Sequence, residues 1–141
     1  MIKKLALLMA ASLLLMPSAL ATDFVTKSEL TGIQLPKGAL ELTDDDFSGE
    51  MVDLLEDIAA TMNGKCQYHE LLYWEGNPTA LGKALGAKIP AELKYKTLEL
   101  GELENGTYEQ FSLTSAKVWY AGLWIDGPND VSLAWCNVVK K

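Results

Sequence analysis

Two cysteines, Cys66 and Cys136, are the only ones in this chain of 141 residues, and their pairing would constrain the fold more than any other feature. A disulfide between them would tie the last strand-forming segment to the middle of the chain and close a loop of about 70 residues. Whether two thiols pair depends on the compartment, because disulfides persist in oxidising surroundings and are rare in the cytosol. The amino terminus indicates the compartment, and the compartment decides whether the two cysteines form a disulfide.

The first 21 residues have the three parts of a cleavable export signal. Residues 3–4 are lysines, residues 5–16 are apolar, and residues 18–21 provide a small-residue cleavage site of the A-x-A type. The apolar stretch is shorter than the roughly 20 residues that cross a bilayer. Position 22 is Thr22, so the mature start offers no cysteine for a lipid anchor. We predict cleavage before Thr22, a periplasmic or secreted location and no membrane insertion.

Residues 22–141 form a segment whose size suits one globular domain. It has 10 lysines, since two of the 12 lie in the signal, and all 19 acidic residues, which gives a formal net charge of −9. The chain has no arginine, and a negative field without guanidinium groups repels polyanions, so we expect no nucleic-acid binding. In an exported chain we predict a structural Cys66–Cys136 disulfide.

The apolar pattern predicts two helices early in the domain and strands late. Residues 22–38 are expected to form an irregular arm that can add a short strand near residues 32–35, and residues 39–43 a short strand. Apolar residues at helical spacing predict a helix over 51–62, which Asp46 or Ser48 can cap and Asn63-Gly64 can end. A shorter helix is predicted after Asn77-Pro78. Further strands are predicted at residues 65–75, 94–103, 107–113, 117–125 and 131–139.

The order of these elements predicts an α+β fold. Asn105-Gly106 is a strong hairpin signal, and the turn residues at 126–130 separate the last two strands. We therefore expect two helices packed on one face of a mainly antiparallel sheet that ends in a four-stranded meander.

Two groups of residues partly match a metal site or a catalytic site, but neither has all the residues that such a site needs. Asp44, Asp46 and Ser48 match the first half of an EF-hand loop, but position twelve is Leu55 instead of a bidentate glutamate. His69 is the only histidine, and on a regular strand its side chain and that of Cys66 would point to opposite faces. We predict no catalytic residue, no metal site and no cofactor.

Aromatic residues are frequent on the predicted strands of the second half of the chain. Those of strand 117–125 lie on both faces, so each face of the sheet needs a cover. On the face that holds Tyr120 and Trp124, the cover could be the arm, a second subunit or a ligand. Core packing of these rings is our first interpretation. The alternative is a surface that binds a partner or a glycan, with Tyr120 and Trp124 as its candidate residues.

The sequence favours a small acidic domain that acts outside the cytoplasm as a non-enzymatic binding module. Its expected partner is a protein or a small envelope ligand. An inhibitor or immunity-type partner of an exported protein is one alternative, and a carboxylate-dependent hydrolase is another. The residues do not specify the partner, the biological process or the oligomeric state.

Overall fold

The computed structural model describes residues 24–43, 46 and 48–141. The predicted export signal lies outside this part of the chain, as do residues 22–23, 45 and 47 and Asp44 of the partial EF-hand match. The described residues form seven strands and two helices. In chain order they are β1 (Phe24–Lys27), β2 (Gln34–Leu42), α1 (Gly49–Thr61), β3 (Gly64–Glu75), α2 (Pro78–Lys88), β4 (Lys94–Leu103), β5 (Gly106–Thr114), β6 (Trp119–Asp126) and β7 (Asp130–Lys140).

Helix α1 begins at Ser48, one of its two predicted caps, and α2 begins at Asn77-Pro78 as predicted. The Ser48 side chain accepts a hydrogen bond from the Met51 backbone N–H at the start of α1, at 3.0 Å. At the start of α2 the Asn77 side chain accepts from the Ala80 N–H at 2.9 Å, and Pro78 is the first helical residue. After α1 the chain turns at Asn63, whose φ is 58°, as expected for an Asn that ends a helix.

All seven strands belong to one antiparallel sheet with the order β1-β2-β3-β7-β6-β5-β4. The last four strands are neighbours in both chain order and space, which confirms the predicted meander. The α+β class is confirmed as well. The disulfide between Cys66 of β3 and Cys136 of β7 is formed, with its Cα atoms 5.5 Å apart.

The amino-terminal segment is more regular than the sequence analysis expects. Residues 24–27 form the edge strand β1, and β2 runs without a break from Gln34 through the two short segments expected near 32–35 and at 39–43. Leu35 and Ala39 of β2 are buried, which explains why this segment is regular. A strand that contributes to the core is held by side-chain packing as well as by hydrogen bonds to its neighbouring strands.

The two helices pack against opposite faces of the sheet, whereas we expected both on one face. The buried residues of α1 share a core with Leu71 and Tyr73 of β3. Leu85 of α2 belongs to a second core with Leu72 and Trp74, the alternate residues of the same strand. Because β3 is apolar on both faces, each face requires its own cover, and one helix serves each.

The carboxylate of Glu70 is buried in the sheet and accepts four hydrogen bonds. Ser28 Oγ and the indole Nε1 of Trp135 donate to its Oε1 at 2.5 and 2.7 Å. The backbone N–H groups of Glu29 and Leu30 donate to its Oε2 at 3.0 and 3.4 Å. Glu70 is only 7% exposed, and a buried carboxylate is tolerated when donors replace its water. This one group joins the β1–β2 loop to β3 and β7.

Replacing Glu70 by glutamine should destabilise the fold by about 2–4 kcal/mol. The amide keeps one acceptor oxygen, but its NH₂ group would face donors and leave buried N–H groups without an acceptor. Urea denaturation followed by tryptophan fluorescence measures the difference. Glu75→Gln, an exposed change on the same strand, is the matched control, and equal stability of the two variants would contradict this role.

Candidate ligand-binding groove

Helix α2 leaves part of its face of the sheet uncovered. It packs against β2 and β7, while β4, β5 and β6 continue the same face beyond it. The space between α2 and these three strands is a groove, which we call the α2 groove. The segment Ile89–Leu93 after α2 contributes to one end of it.

Trp124 lies at the centre of the α2 groove. Two cavities of about 540 and 530 Å³ share three lining residues, Gly82, Glu109 and Trp124. The Trp124 indole Nε1 donates to Asp126 Oδ1 at 2.5 Å, which fixes the ring orientation. A Cβ built on Gly82 of α2 would lie 3.8 Å from Cζ2 of this ring, so α2 passes close above it.

Four cross-strand rows form the floor of the α2 groove on β4, β5 and β6. Because antiparallel partners point to the same side, each row presents its side chains together. From one end to the other, the rows are Glu102–Thr107–Asp126, Leu100–Glu109–Trp124, Thr97–Phe111–Gly122 and Tyr95–Leu113. The last row continues to Tyr120, which lies outside the two cavities. The floor therefore changes from acidic at one end to apolar at the other.

Gly122 allows the Phe111 ring to lie flat on the floor. A Cβ at this glycine would be only 2.2 Å from Phe111 Cζ, so any other residue would displace the ring. Tyr95 of the edge strand then stacks on Phe111, with ring centroids 5.2 Å apart and an interplanar angle of 19°. A glycine within an apolar strand is the sequence signal of such a close approach.

The cavity near the apolar end has one charged side chain among its described lining residues, Glu109. Thr97 Oγ1 donates to Glu109 Oε2 at 2.6 Å, and the Tyr95 hydroxyl donates to the same oxygen. Burial and this carboxylate raise the pKa of Tyr95. The apolar lining comprises Leu85, Ile89, Pro90, Ala91, Leu93, Phe111, Leu113, Trp124 and Trp135.

The structure separates the two residues that the sequence analysis proposes for binding. Trp124 is half-buried and lies in the α2 groove. Tyr120 is 7% exposed and contributes to another hollow of about 520 Å³, together with His69 and Asn137. Burial raises the pKa of Tyr120. The two residues are four positions apart on one strand, which is about 13 Å.

A β-bulge brings Cys66 and His69 to the same side of β3, although a regular strand would point them apart. Cys66 is opposite Val138 and His69 is opposite Cys136, so three steps on β3 match two on β7. One extra residue in a strand reverses the alternation that follows it. The expectation that the two side chains diverge is therefore wrong.

Sequence reasoning missed most of the α2 groove. The sequence predicts that Tyr95, Phe111 and Glu109 lie on strands, but the register between β4, β5 and β6 is what places them on a common face. The signals that could have been used are Gly122 within an apolar strand and the apolar residues that continue after α2 to Leu93.

No protein-family model matches this chain, and comparisons with curated proteins and with solved structures give no match either. Among the described residues, no helix has the length and apolar character needed to cross a membrane.

The stability of the fold should fall as the pH rises above about 10, because several phenols keep their protons in the folded state. Burial first, and then a carboxylate partner, raise the pKa values of Tyr73 and Tyr95. The hydrogen bond to its carboxylate partner, and then burial, raise the pKa of Tyr108. The partners are Asp130, Glu109 and Glu99, respectively.

Above the ordinary tyrosine pKa, the unfolded chain loses these protons first, so the folded state binds more protons and its free energy of unfolding decreases. Below about pH 10 the contribution is fully present. Urea denaturation at about pH 8 and about pH 11 tests this expectation. Replacing Tyr73, Tyr95 and Tyr108 together by phenylalanine should make the decrease smaller, and an unchanged decrease would count against it.

Proposed function

We propose that this chain is a non-enzymatic binding module of the periplasm or extracellular space. In this proposal the α2 groove holds a small amphiphile that has an apolar chain and a cationic head group. The observation that carries the proposal is the arrangement around Trp124, where an apolar cavity continues into an acidic one along the same three strands.

The size of the groove supports a small ligand. Pockets that hold small molecules are about 300–1,000 Å³ and are lined mainly by apolar and aromatic side chains with few polar groups. The two cavities on either side of Trp124 fall in this range individually, and together they slightly exceed its upper end. An apolar chain would remove from water the partly exposed side chains of Ile89, Leu93 and Trp124.

The charges of the groove favour a cation over an anion. Glu109 is the charged group at the apolar cavity, and the other cavity has Glu102 and Asp126 against Lys83 among its described residues. A cationic head at this end would meet carboxylates and the face of Trp124, and a cation over an indole is favourable by about 0.5–2 kcal/mol. An anionic head would meet like charge.

The proposed location rests on the signal pattern of residues 1–21 and is supported by the Cys66–Cys136 disulfide. Disulfides of this kind persist outside the cytosol. Amphiphiles with apolar chains are available at a cell envelope, so location and groove chemistry are consistent with each other.

Decyltrimethylammonium, kept below its micelle concentration, should bind the protein and change its tryptophan fluorescence in a saturable way. Decyl sulfate has the same chain with an anionic head and should bind at least about tenfold more weakly, which corresponds to 1.4 kcal/mol. Glu109→Gln should reduce this preference for the cation, because it removes the carboxylate at the junction of the two cavities.

Trp124→Leu should weaken binding of decyltrimethylammonium by about tenfold or more, since it removes the aromatic surface shared by both cavities. Trp119→Leu is the matched control, because Trp119 lies on the same strand and packs against the α1 core on the opposite face. Calorimetry gives both affinities. Equal losses in the two variants, or no binding of either detergent, would rule out the groove as the site.

A further inference from the structure

The disulfide lies among other side chains that can ligate a metal. Single ligand atoms of Glu56, Cys66 and His69 all lie within 4.8 Å of one another. Cys136 belongs to the same group, since its Sγ is bonded to that of Cys66 at 2.06 Å. The four residues come from α1, β3 and β7, far apart in the chain but adjacent in the fold.

Two features of the fold bring this cluster together. The β-bulge in β3 turns Cys66 and His69 to the α1 side of the sheet, and it places His69 opposite Cys136. Glu56 reaches the same place from α1, where its Oε1 accepts a hydrogen bond from the Cys66 backbone N–H at 3.0 Å. The strand register and helix α1 set the positions of these residues, so the disulfide bond alone does not hold the cluster together.

We propose that reduction of the Cys66–Cys136 disulfide converts this cluster into a four-ligand site for zinc or a similar divalent metal. Two thiolates, one imidazole and one carboxylate are donors that zinc takes in tetrahedral sites. Thiolates also select against hard cations such as calcium and magnesium. This proposal is independent of the function proposed for the α2 groove, which lies on the other face of the sheet.

The distances are compatible with such a site after small side-chain movements. In a tetrahedral site with bonds of about 2.0–2.3 Å, ligand atoms lie roughly 3.3–3.8 Å apart. The observed limit of 4.8 Å therefore has to shorten by about 1 Å, which rotation about side-chain bonds provides. The two sulfur atoms have to separate, and their Cα atoms 5.5 Å apart allow it.

The chemistry requires a two-electron reductant, for which a dithiol is the natural class. The dithiol is oxidised to its own disulfide, the Cys66–Cys136 bond breaks, and each sulfur gains one electron and one proton. Metal binding then releases both thiol protons as two metal–sulfur bonds form. Disulfide and metal are thus alternative occupants of the same positions, and bound metal protects the thiols from re-oxidation.

Cobalt titration of the full chain tests the site. The protein is reduced with tris(carboxyethyl)phosphine without oxygen, and the reduced protein should develop thiolate-to-cobalt charge-transfer absorption at one cobalt per chain. The oxidised protein should show none. Zinc should displace the cobalt, as expected for a tetrahedral thiolate site.

The variants show whether all of the ligands take part. His69→Gln and Glu56→Gln should each weaken cobalt binding by about tenfold or more, since even the loss of an outer partner of a metal ligand costs 10–100-fold. Asp57→Asn, an exposed change on the same helix, should leave it unchanged. Cobalt absorption of equal strength in His69→Gln and the parent would overturn the proposal.

Circular dichroism shows whether the reduced chain stays folded. If it does, absence of charge-transfer absorption overturns the proposal. If reduction unfolds the chain, zinc should restore the folded spectrum and raise Tm in the parent and not in His69→Gln. Failure of zinc to refold the reduced parent would equally overturn it.

Discussion

The buried carboxylate of Glu70 joins the loop between β1 and β2 to the two central strands β3 and β7. An unpaired carboxylate in such a place would destabilise the fold by several kcal/mol, but four donors surround this one. They fix the loop between β1 and β2 on β3, and they fix the indole of Trp135 on β7. Trp135 also lines the apolar cavity of the α2 groove. The Glu70 network therefore also holds one of the side chains that line this cavity.

The second constraint is that the central strands are apolar on both faces. In β3 and β7, consecutive buried residues alternate between the α1 core and the α2 core, so neither face can be left to water. Helix α1 covers one face against β3, β5, β6 and β7. Helix α2 covers the β2 and β7 part of the other face. The exposed remainder on β4–β6 is a consequence of this division, and it is where aromatic rings and carboxylates meet around Trp124.

Local signals in the sequence are sufficient to predict most helices, strands and turns. They are not sufficient to predict features that depend on contacts between distant segments. The sequence predicts the cap at Ser48, the helix start at Asn77-Pro78, the turn at Asn63 and the four late strands, because each depends on neighbouring residues. The pairing of Cys66 with Cys136 followed from the expected compartment. The face chosen by α2 and the bulge that turns His69 towards Cys66 depend on strand register, which is set by contacts between distant segments. The alternation within one strand is enough to propose Trp124 as a binding residue. Placing Tyr95, Phe111 and Glu109 beside it requires the register between strands, which the sequence does not show.

The most direct test of the account is to follow the four indole N–H signals by nitrogen–proton NMR while a cationic amphiphile is added. Each indole donates to a different acceptor, namely Pro36, Ser115, Asp126 and Glu70 for Trp74, Trp119, Trp124 and Trp135, respectively, so four separate signals are expected. The account predicts a saturable shift of the Trp124 signal during titration with decyltrimethylammonium. The Trp119 signal, on the opposite face, should stay in place. A shift of Trp119 with an unchanged Trp124 signal would contradict the placement of the ligand in the α2 groove.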